Sequence, residues 1–252
     1  MSVAIITGAS VGLGAEFIKF IPKVYPEIDE YWVIARRTEK LEALKEQYPD
    51  KNVVPLPYDL SKEETYEEFH DYLKEKKPDV KLLINNAGVG DLCDFATADY
   101  HKQMLQCNLN VRGLTVVTNL VLKYMKENSA VVNVASIASF VPNANMAVYC
   151  STKAYVLSFS RAVRFELKKR KINVLAVCPG PMSTEFIDVA NITGRSKTFE
   201  TLPYCNPSDV AYKSLKAAKK GKGVYTNKVF YKFYRVLARI VPHRWLMYLS
   251  KT

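Results

Sequence analysis

The chain is poor in the residues that define several protein classes. It has three histidines and five cysteines, and no cysteine pair has the spacing of a zinc or redox motif. Cys93, Cys107, Cys150, Cys178 and Cys205 are far apart and odd in number. That pattern suits reduced thiols in the cytoplasm, so neither a disulfide framework nor a metal site is expected. His70, His101 and His243 have no partner at catalytic spacing and receive no role. Ten glycines and twelve prolines in 252 residues exclude collagen and low-complexity chains. No charge-free apolar run approaches the ~20 residues of a membrane-spanning helix. The first such run, residues 3–6, breaks at Thr7-Gly8, too early for the core of a secretion signal, so none is expected.

Acidic side chains also run out early, since Asp209 is the last. Eleven of the 36 basic residues follow it, which leaves residues 1–209 with 25 basic against 25 acidic groups. The formal net charge of +11 therefore belongs wholly to the C-terminal segment. A uniformly basic nucleic-acid binder is not distributed this way, and no nucleic-acid motif accompanies the tail.

What the chain does have is alternation. Short apolar runs at residues 3–7, 31–35, 53–57, 81–85, 130–135, 172–178 and 224–226 read as strands. Helical patterns lie between or after them at 12–20, 38–47, 61–76, 99–125, 147–170 and 208–220. Ser61 with Glu64, and Ser208, read as helix caps. Two prolines flanking Leu56 weaken the third strand. Strands apolar throughout, separated by helices, predict one doubly wound parallel α/β sheet of Rossmann type with helices on both faces. One domain over residues 1–227 is expected, with a lid over about 181–207 and a basic amphipathic extension over 228–252.

Gly8, Gly12 and Gly14 fall between the first strand and the first helix, in Thr7-Gly8-Ala9-Ser10-Val11-Gly12-Leu13-Gly14. Glycines there let backbone approach a pyrophosphate, and the helix start offers free N–H groups. After the second strand comes Arg36-Arg37 in place of the acidic residue that an NAD site uses on the ribose hydroxyl. Two guanidinium groups suit a 2′-phosphate, hence NADP.

With these motifs the sequence resembles the short-chain dehydrogenase/reductase family. The resemblance runs in order through the glycine turn, Asp59-Leu60, Asn85-Asn86-Ala87-Gly88, Asn110, Ser136, Tyr149-x3-Lys153, and Pro179-Gly180 with Thr184. It implies an NADP-dependent oxidoreductase acting between a secondary alcohol and a ketone. Tyr149 would be the acid/base. Lys153 stands one helical turn on and would lower the tyrosine pKa as well as bind the nicotinamide ribose. Ser136, preferred to Ser139, would orient the carbonyl, and Asn110, preferred to Asn108, would hold a relay water. Gly8, Ser10, Gly12, Leu13, Gly14, Arg36, Arg37, Asp59, Leu60, Asn86, Ala87, Gly88, Tyr149, Lys153, Pro179, Gly180 and Thr184 are the expected cofactor contacts.

Substrate determinants are expected around Phe140, Val141 and Met146, and in the lid at Phe186, Ile187, Val189, Ile192, Phe199 and Tyr204. Such a wall suits an apolar alcohol or ketone, as handled by a hydroxysteroid dehydrogenase or carbonyl reductase, with a bile acid among the candidates. A 3-oxoacyl reductase and a weakly catalytic NADP-binding scaffold are the alternatives. The resemblance also implies a homo-oligomer built on the two long helices. In 229–241, Val229, Phe233, Val236 and Ile240 form an apolar stripe beside Lys228, Lys232, Arg235 and Arg239. Such a helix either packs over the substrate cleft or a subunit interface, or lies on an anionic membrane surface, so the expected location is cytoplasmic, with peripheral membrane contact as an option.

Overall fold

The computed structural model describes residues 1–194 and 196–249. Arg195 of the expected lid and residues 250–252 of the expected extension lie outside the described residues. β1 (Ser2–Thr7), β2 (Glu30–Ile34), β3 (Asn52–Leu56), β4 (Asp79–Asn85), β5 (Met125–Val134), β6 (Asn173–Val177) and β7 (Val224–Tyr225) form one parallel sheet in the order β3-β2-β1-β4-β5-β6-β7. The helices are α1 (Gly12–Val24), α2 (Thr38–Gln47), α3 (Glu64–Lys76), α4 (Tyr100–Cys107), α5 (Leu114–Leu122), α6 (Ala147–Glu166), α7 (Glu185–Val189), α8 (Lys197–Thr201), α9 (Pro207–Lys219), α10 (Val229–Ile240) and α11 (His243–Leu249).

Side chains alternate across each strand, so β1 sends Ala4 and Ile6 to one face and Val3 and Ile5 to the other. The first face packs on α1, α2 and α9 through residues such as Phe17, Leu41 and Leu215. The second packs on α3, α5 and α6 through Phe69, Val117 and Val163. Burial on both faces is why the strands lack a polar side. Strand order reverses between β1 and β4, and that reversal opens a crevice beyond the carboxyl ends of the strands.

Several expected boundaries move. α1 continues past Phe20 and through Pro22, because Ile21 and Val24 are buried and their packing outweighs one lost backbone bond. α3 begins at Glu64 with no side-chain cap. Ser61 instead donates its hydroxyl to Asp59 Oδ1 at 2.7 Å, in a turn that precedes the helix. α9 is capped by Asn206, which accepts from Ser208 N at 2.9 Å, and Pro207 supplies the first helical residue. Ser208 donates to Glu16 Oε2 at 2.6 Å instead. The long helix expected over 99–125 is two helices joined by a π-helical turn, Asn108–Gly113, and it ends at Leu122. Met125 already pairs with Val80 in the sheet. The helix expected over 147–170 finishes as a 3-10 turn at Leu167–Arg170. β3 accommodates Pro55 because it is an edge strand that pairs only with β2, and it ends before Pro57.

α10 packs across the carboxyl end of the sheet. Tyr231 is fully buried and donates its hydroxyl to the Pro203 carbonyl at 2.9 Å. Its ring lies so close to Gly180 that a Cβ there would sit 2.2 Å from Cε2. Substituting Gly180→Ala should therefore displace α10 and cost about 1–3 kcal/mol, as other overpacking changes do. Chemical denaturation of Gly180→Ala checks this, and adding Tyr231→Leu should return part of the loss.

Candidate active site

The glycine turn is built for close backbone approach. Gly8 has φ +64° and a Cβ there would lie 2.8 Å from Ala87 Cα, while Gly12 has φ +56°. Thr7 Oγ1 accepts from the backbone N–H of Asn86 and of Ala87, each at 3.0 Å, and Asn86 Nδ2 donates to the Gly8 carbonyl at 3.0 Å. These bonds tie the ends of β1 and β4 together. α1 then starts from Val11 with no side-chain cap and no acidic residue in its first turn, which leaves donors for an anion. Gly14 does not line the crevice. A Cβ there would sit 2.0 Å from the Gly8 carbonyl oxygen, so its place is the contact between helix and turn.

Past β2, Arg36 and Arg37 line the same crevice. Arg37 Nη1 and Lys40 Nζ each lie 2.9 Å from the Glu185 carboxylate, and Arg37 Nη2 donates to Ser10 Oγ at 3.4 Å. Lys40, followed by Arg37, holds the Glu185 carboxyl below its usual pKa. Glu185 opens α7, so this carboxylate spans from the lid to the place where a 2′-phosphate would be recognised. Neither Lys40 nor Glu185 stands out in the sequence, because they lie 145 residues apart.

Tyr149, Lys153 and Ser136 meet at the crevice floor and are all buried. Ser136 follows β5 and caps the short turn Ile137–Ser139, accepting from Ala138 N at 3.1 Å. Ser139 turns away and donates to the Ser136 carbonyl at 2.5 Å. The Ser136 hydroxyl beside the Tyr149 phenol draws its pKa down, but burial is the larger effect and pushes it above its ordinary value. Lys153 Nζ lies 5.8 Å from the Tyr149 ring centre and donates to the Val134 carbonyl at 2.9 Å. Burial brings its own pKa down from 10.5 to about 8.

Asn110 sits in the π-helical turn, almost fully buried. Its Oδ1 accepts from Val89 N at 2.9 Å, and its Nδ2 donates to the Val89 carbonyl at 2.8 Å and to Thr152 Oγ1 at 3.1 Å. It thus ties the loop after β4 to α6 and does not line the crevice itself. A Cβ on Gly88 would come within 3.0 Å of Asn110 Oδ1 and 3.3 Å of Lys153 Nζ, so Gly88 keeps this junction open. Ser10, Gly12, Leu13, Asp59, Leu60, Asn86, Ala87, Pro179, Gly180 and Thr184 line the crevice as well. A glycine cradle, an uncapped helix start and paired guanidinium groups together fit a phosphorylated dinucleotide.

A chain of buried amides that sequence reasoning missed supports α6. Asn85 Nδ2 donates to Thr118 Oγ1 and Asn133 Oδ1, both at 2.8 Å, and Asn133 Nδ2 donates to Ser160 Oγ at 2.9 Å. Polar residues in apolar strands were the available signal. The crevice, about 660 Å³, has an apolar end formed by Met146, Met182, Phe186, Ile187, Val189, Phe199 and Leu202, with Phe230, Tyr231, Tyr234, Leu237 and Leu246 from the C-terminal helices. Phe140, Val141, Ile192 and Tyr204 were expected in this wall and are absent from it. Phe140 and Val141 pack beneath α10, and Ile192 packs behind the wall in a cluster with Leu92 and Met146.

Residues 2–193 match the family model described as short chain dehydrogenase. A probable NADP-dependent dehydrogenase of Haemophilus influenzae is 32% identical over 217 residues, covering 82% of this chain and 84% of that protein. An NADP-dependent 3-hydroxy acid dehydrogenase of Schizosaccharomyces pombe is 31% identical, covering 72% of each. Among solved structures, a short-chain dehydrogenase from Sphingobium yanoikuyae in complex with NADPH superposes with a TM-score of 0.81 at 24% identity, over 98% of this chain and 96% of that one.

Burying Lys153 has a cost that can be read. Its ammonium is disfavoured in the fold, so below about pH 8 the native state carries a penalty, which fades as pH rises from about 8 to 10.5. Lys153→Met should therefore raise stability at pH 7 by about 2 kcal/mol, from a shift worth about 3 kcal/mol less the lost bond to Val134. The gain should shrink through that pH window. Urea denaturation at pH 7 and pH 10 checks both parts, and a destabilised variant at pH 7 would contradict the reading.

Proposed function

The chain belongs to the short-chain dehydrogenase family, and we propose that it is an NADP(H)-dependent oxidoreductase that interconverts a bulky apolar ketone and its secondary alcohol. The observation that carries this reading is the meeting of Tyr149 and Ser136 at the floor of a crevice whose one end is a glycine cradle with two arginines and whose other end is apolar. The crevice splits into a polar cofactor half and an apolar substrate half, which is the division that a dehydrogenase needs.

Gly8, Ser10, Gly12 and Leu13, with Arg36, Arg37, Asp59, Leu60, Asn86, Ala87, Gly88, Lys153, Pro179, Gly180 and Thr184, would hold the cofactor. When bound, NADPH supplies the hydride that the carbonyl carbon accepts. Ser136 donates a hydrogen bond to the carbonyl oxygen and positions it. Tyr149 Oη gives that oxygen its proton, and because burial disfavours tyrosinate, the phenol keeps the proton until negative charge develops nearby. Lys153, held by the Val134 carbonyl, is the adjacent proton source, and Asn110 positions the loop after β4 against α6. The catalytic domain is residues 1–227, with the lid at about 181–207 and the extension at 228–252.

For the substrate, hydroxysteroid or bile-acid carbonyls suit the apolar and aromatic wall. A second reading, a 3-oxo or 3-hydroxy acyl substrate, is favoured by the name of the Schizosaccharomyces relative. The enzyme is read as a cytoplasmic homo-oligomer, and the exposed Tyr100 and Met104 on α4 and Tyr155 and Phe165 on α6 support pairing through those helices.

Two measurements test this reading. NADPH oxidation should be fastest with rigid multi-ring ketones, slower with 3-oxoacyl thioesters and slowest with acetone-sized ketones. Preference for the acyl series would select the second reading. NADPH should bind more tightly than NADH. Glu185→Gln should tighten NADPH by about two- to fivefold, because an exposed ion pair competes only modestly for Arg37 and Lys40. Its effect on NADH should be negligible. Fluorescence titration of the two cofactors checks this, and equal changes for both would contradict a 2′-phosphate site at Arg37.

A further inference from the structure

α10 has two apolar faces. One packs inward through Tyr231 and Ala238, which are buried, and through Tyr234 and Leu237, which line the cleft. The other is the stripe that the sequence periodicity picks out, and it points away from the body. Val229 is 79% exposed, Phe233 65% and Ile240 76%, and Val236 is exposed beside them. On α11, Trp245 is 61% exposed and Tyr248 is exposed too. Large apolar side chains are seldom left in water in such a row.

Charge says what covers this face. Lys228, Lys232, Arg239 and Arg244 are exposed, and among the described residues none of them forms an ion pair. At 100° per residue, Lys228, Lys232 and Arg239 fall along one edge of the outward stripe, while Phe230 and Leu237 fall along the other edge and line the cleft. No acidic side chain follows Asp209. A two-fold contact between copies would set this basic edge against its own kind, without acidic partners from the same segment. An anionic bilayer answers both features, since it takes the apolar stripe into its acyl boundary and the lysines and arginines among its headgroups. Among the described residues, no helix is long and apolar enough to cross a membrane, so the contact is one of surface docking.

We infer that α10 and α11 dock the enzyme on an anionic lipid surface, with the apolar end of its cleft opening beside the acyl boundary. The substrate would then enter from the lipid phase, a point that rests on the apolar-ketone reading. The docking itself does not, because vesicle binding is measured without turnover.

The protein carries its own probe. It has two tryptophans, and Trp32 is 1% exposed in the core, so a change in emission on adding vesicles reports Trp245. Vesicles of phosphatidylcholine with phosphatidylglycerol should shift that emission to the blue and carry the protein upward in flotation. High salt should reverse both effects, and pure phosphatidylcholine should produce neither. Lys232→Gln with Arg239→Gln should lower vesicle affinity about thirtyfold, at roughly fivefold per charge. Phe233→Ser, Val236→Ser and Ile240→Ser together should abolish the blue shift while NADPH binding and turnover of a water-soluble ketone stay unchanged. Equal binding to both kinds of vesicle, or binding that both sets of substitutions leave intact, would overturn the inference. So would an absence of vesicle binding, and a dimer that only the serine variant dissolves would assign the stripe to a second copy instead.

Discussion

Lys153 is 5% exposed, and its ammonium donates to the Val134 carbonyl 2.9 Å away. A cation so far from water is kept only where the surrounding structure leaves it no alternative. Much of the molecule bears on that point. The parallel sheet delivers the end of β5, and with it the Val134 carbonyl and Ser136, to the crevice floor. α6 carries Lys153 and Tyr149 on one face. The buried amide chain from Asn85 through Asn133 to Ser160 fixes α6 against β4 and β5. The π-helical turn lets Asn110 bond both Val89 and Thr152, and so closes the same junction from the other side. Under the proposed function, stability is given up here for a proton source at the crevice floor, a trade common at catalytic sites.

The C-terminal segment belongs to this arrangement as much as the sheet does. Tyr231 fills the space that Gly180 leaves and bonds the Pro203 carbonyl, so α10 is keyed to the loop after β6 and to the lid together. The same helix walls the apolar end of the cleft with Tyr234 and Leu237. Its outer surface is then free to meet something else. A single amphipathic element thereby links the substrate end of the cleft to the surface from which an apolar substrate would arrive.

The alternation of apolar strands and helices was legible from the sequence, and so was the family, because most of its motifs fall at the ends of strands, where the sheet presents them to the crevice, and Tyr149 and Lys153 recur one turn apart on α6. What was hidden had a physical reason in each case. The π-helical turn preserves the apolar periodicity on either side, so the pattern reads as one helix. Pro22 signals a stop that buried Ile21 and Val24 override. Asp59 takes the Ser61 hydroxyl that would have capped α3. The stripe on α10 was visible, but not that it turns outward, since burial goes to Tyr231 and Ala238, which fit against Gly180 and its surroundings. Spacing places Lys153 one helical turn from Tyr149, but it does not register the burial that raises the phenol's pKa.

The central claim is that the Tyr149 phenol delivers the proton in a cleft that binds NADPH independently of that phenol. Rapid mixing of the NADPH-loaded protein with a multi-ring ketone, following loss of nicotinamide fluorescence over a single turnover, tests it most directly when wild type is compared with Tyr149→Phe. Removing a general acid should slow that step by about a hundredfold or more, with NADPH affinity essentially unchanged. A Tyr149→Phe protein that oxidises its bound NADPH at the wild-type rate would contradict the account.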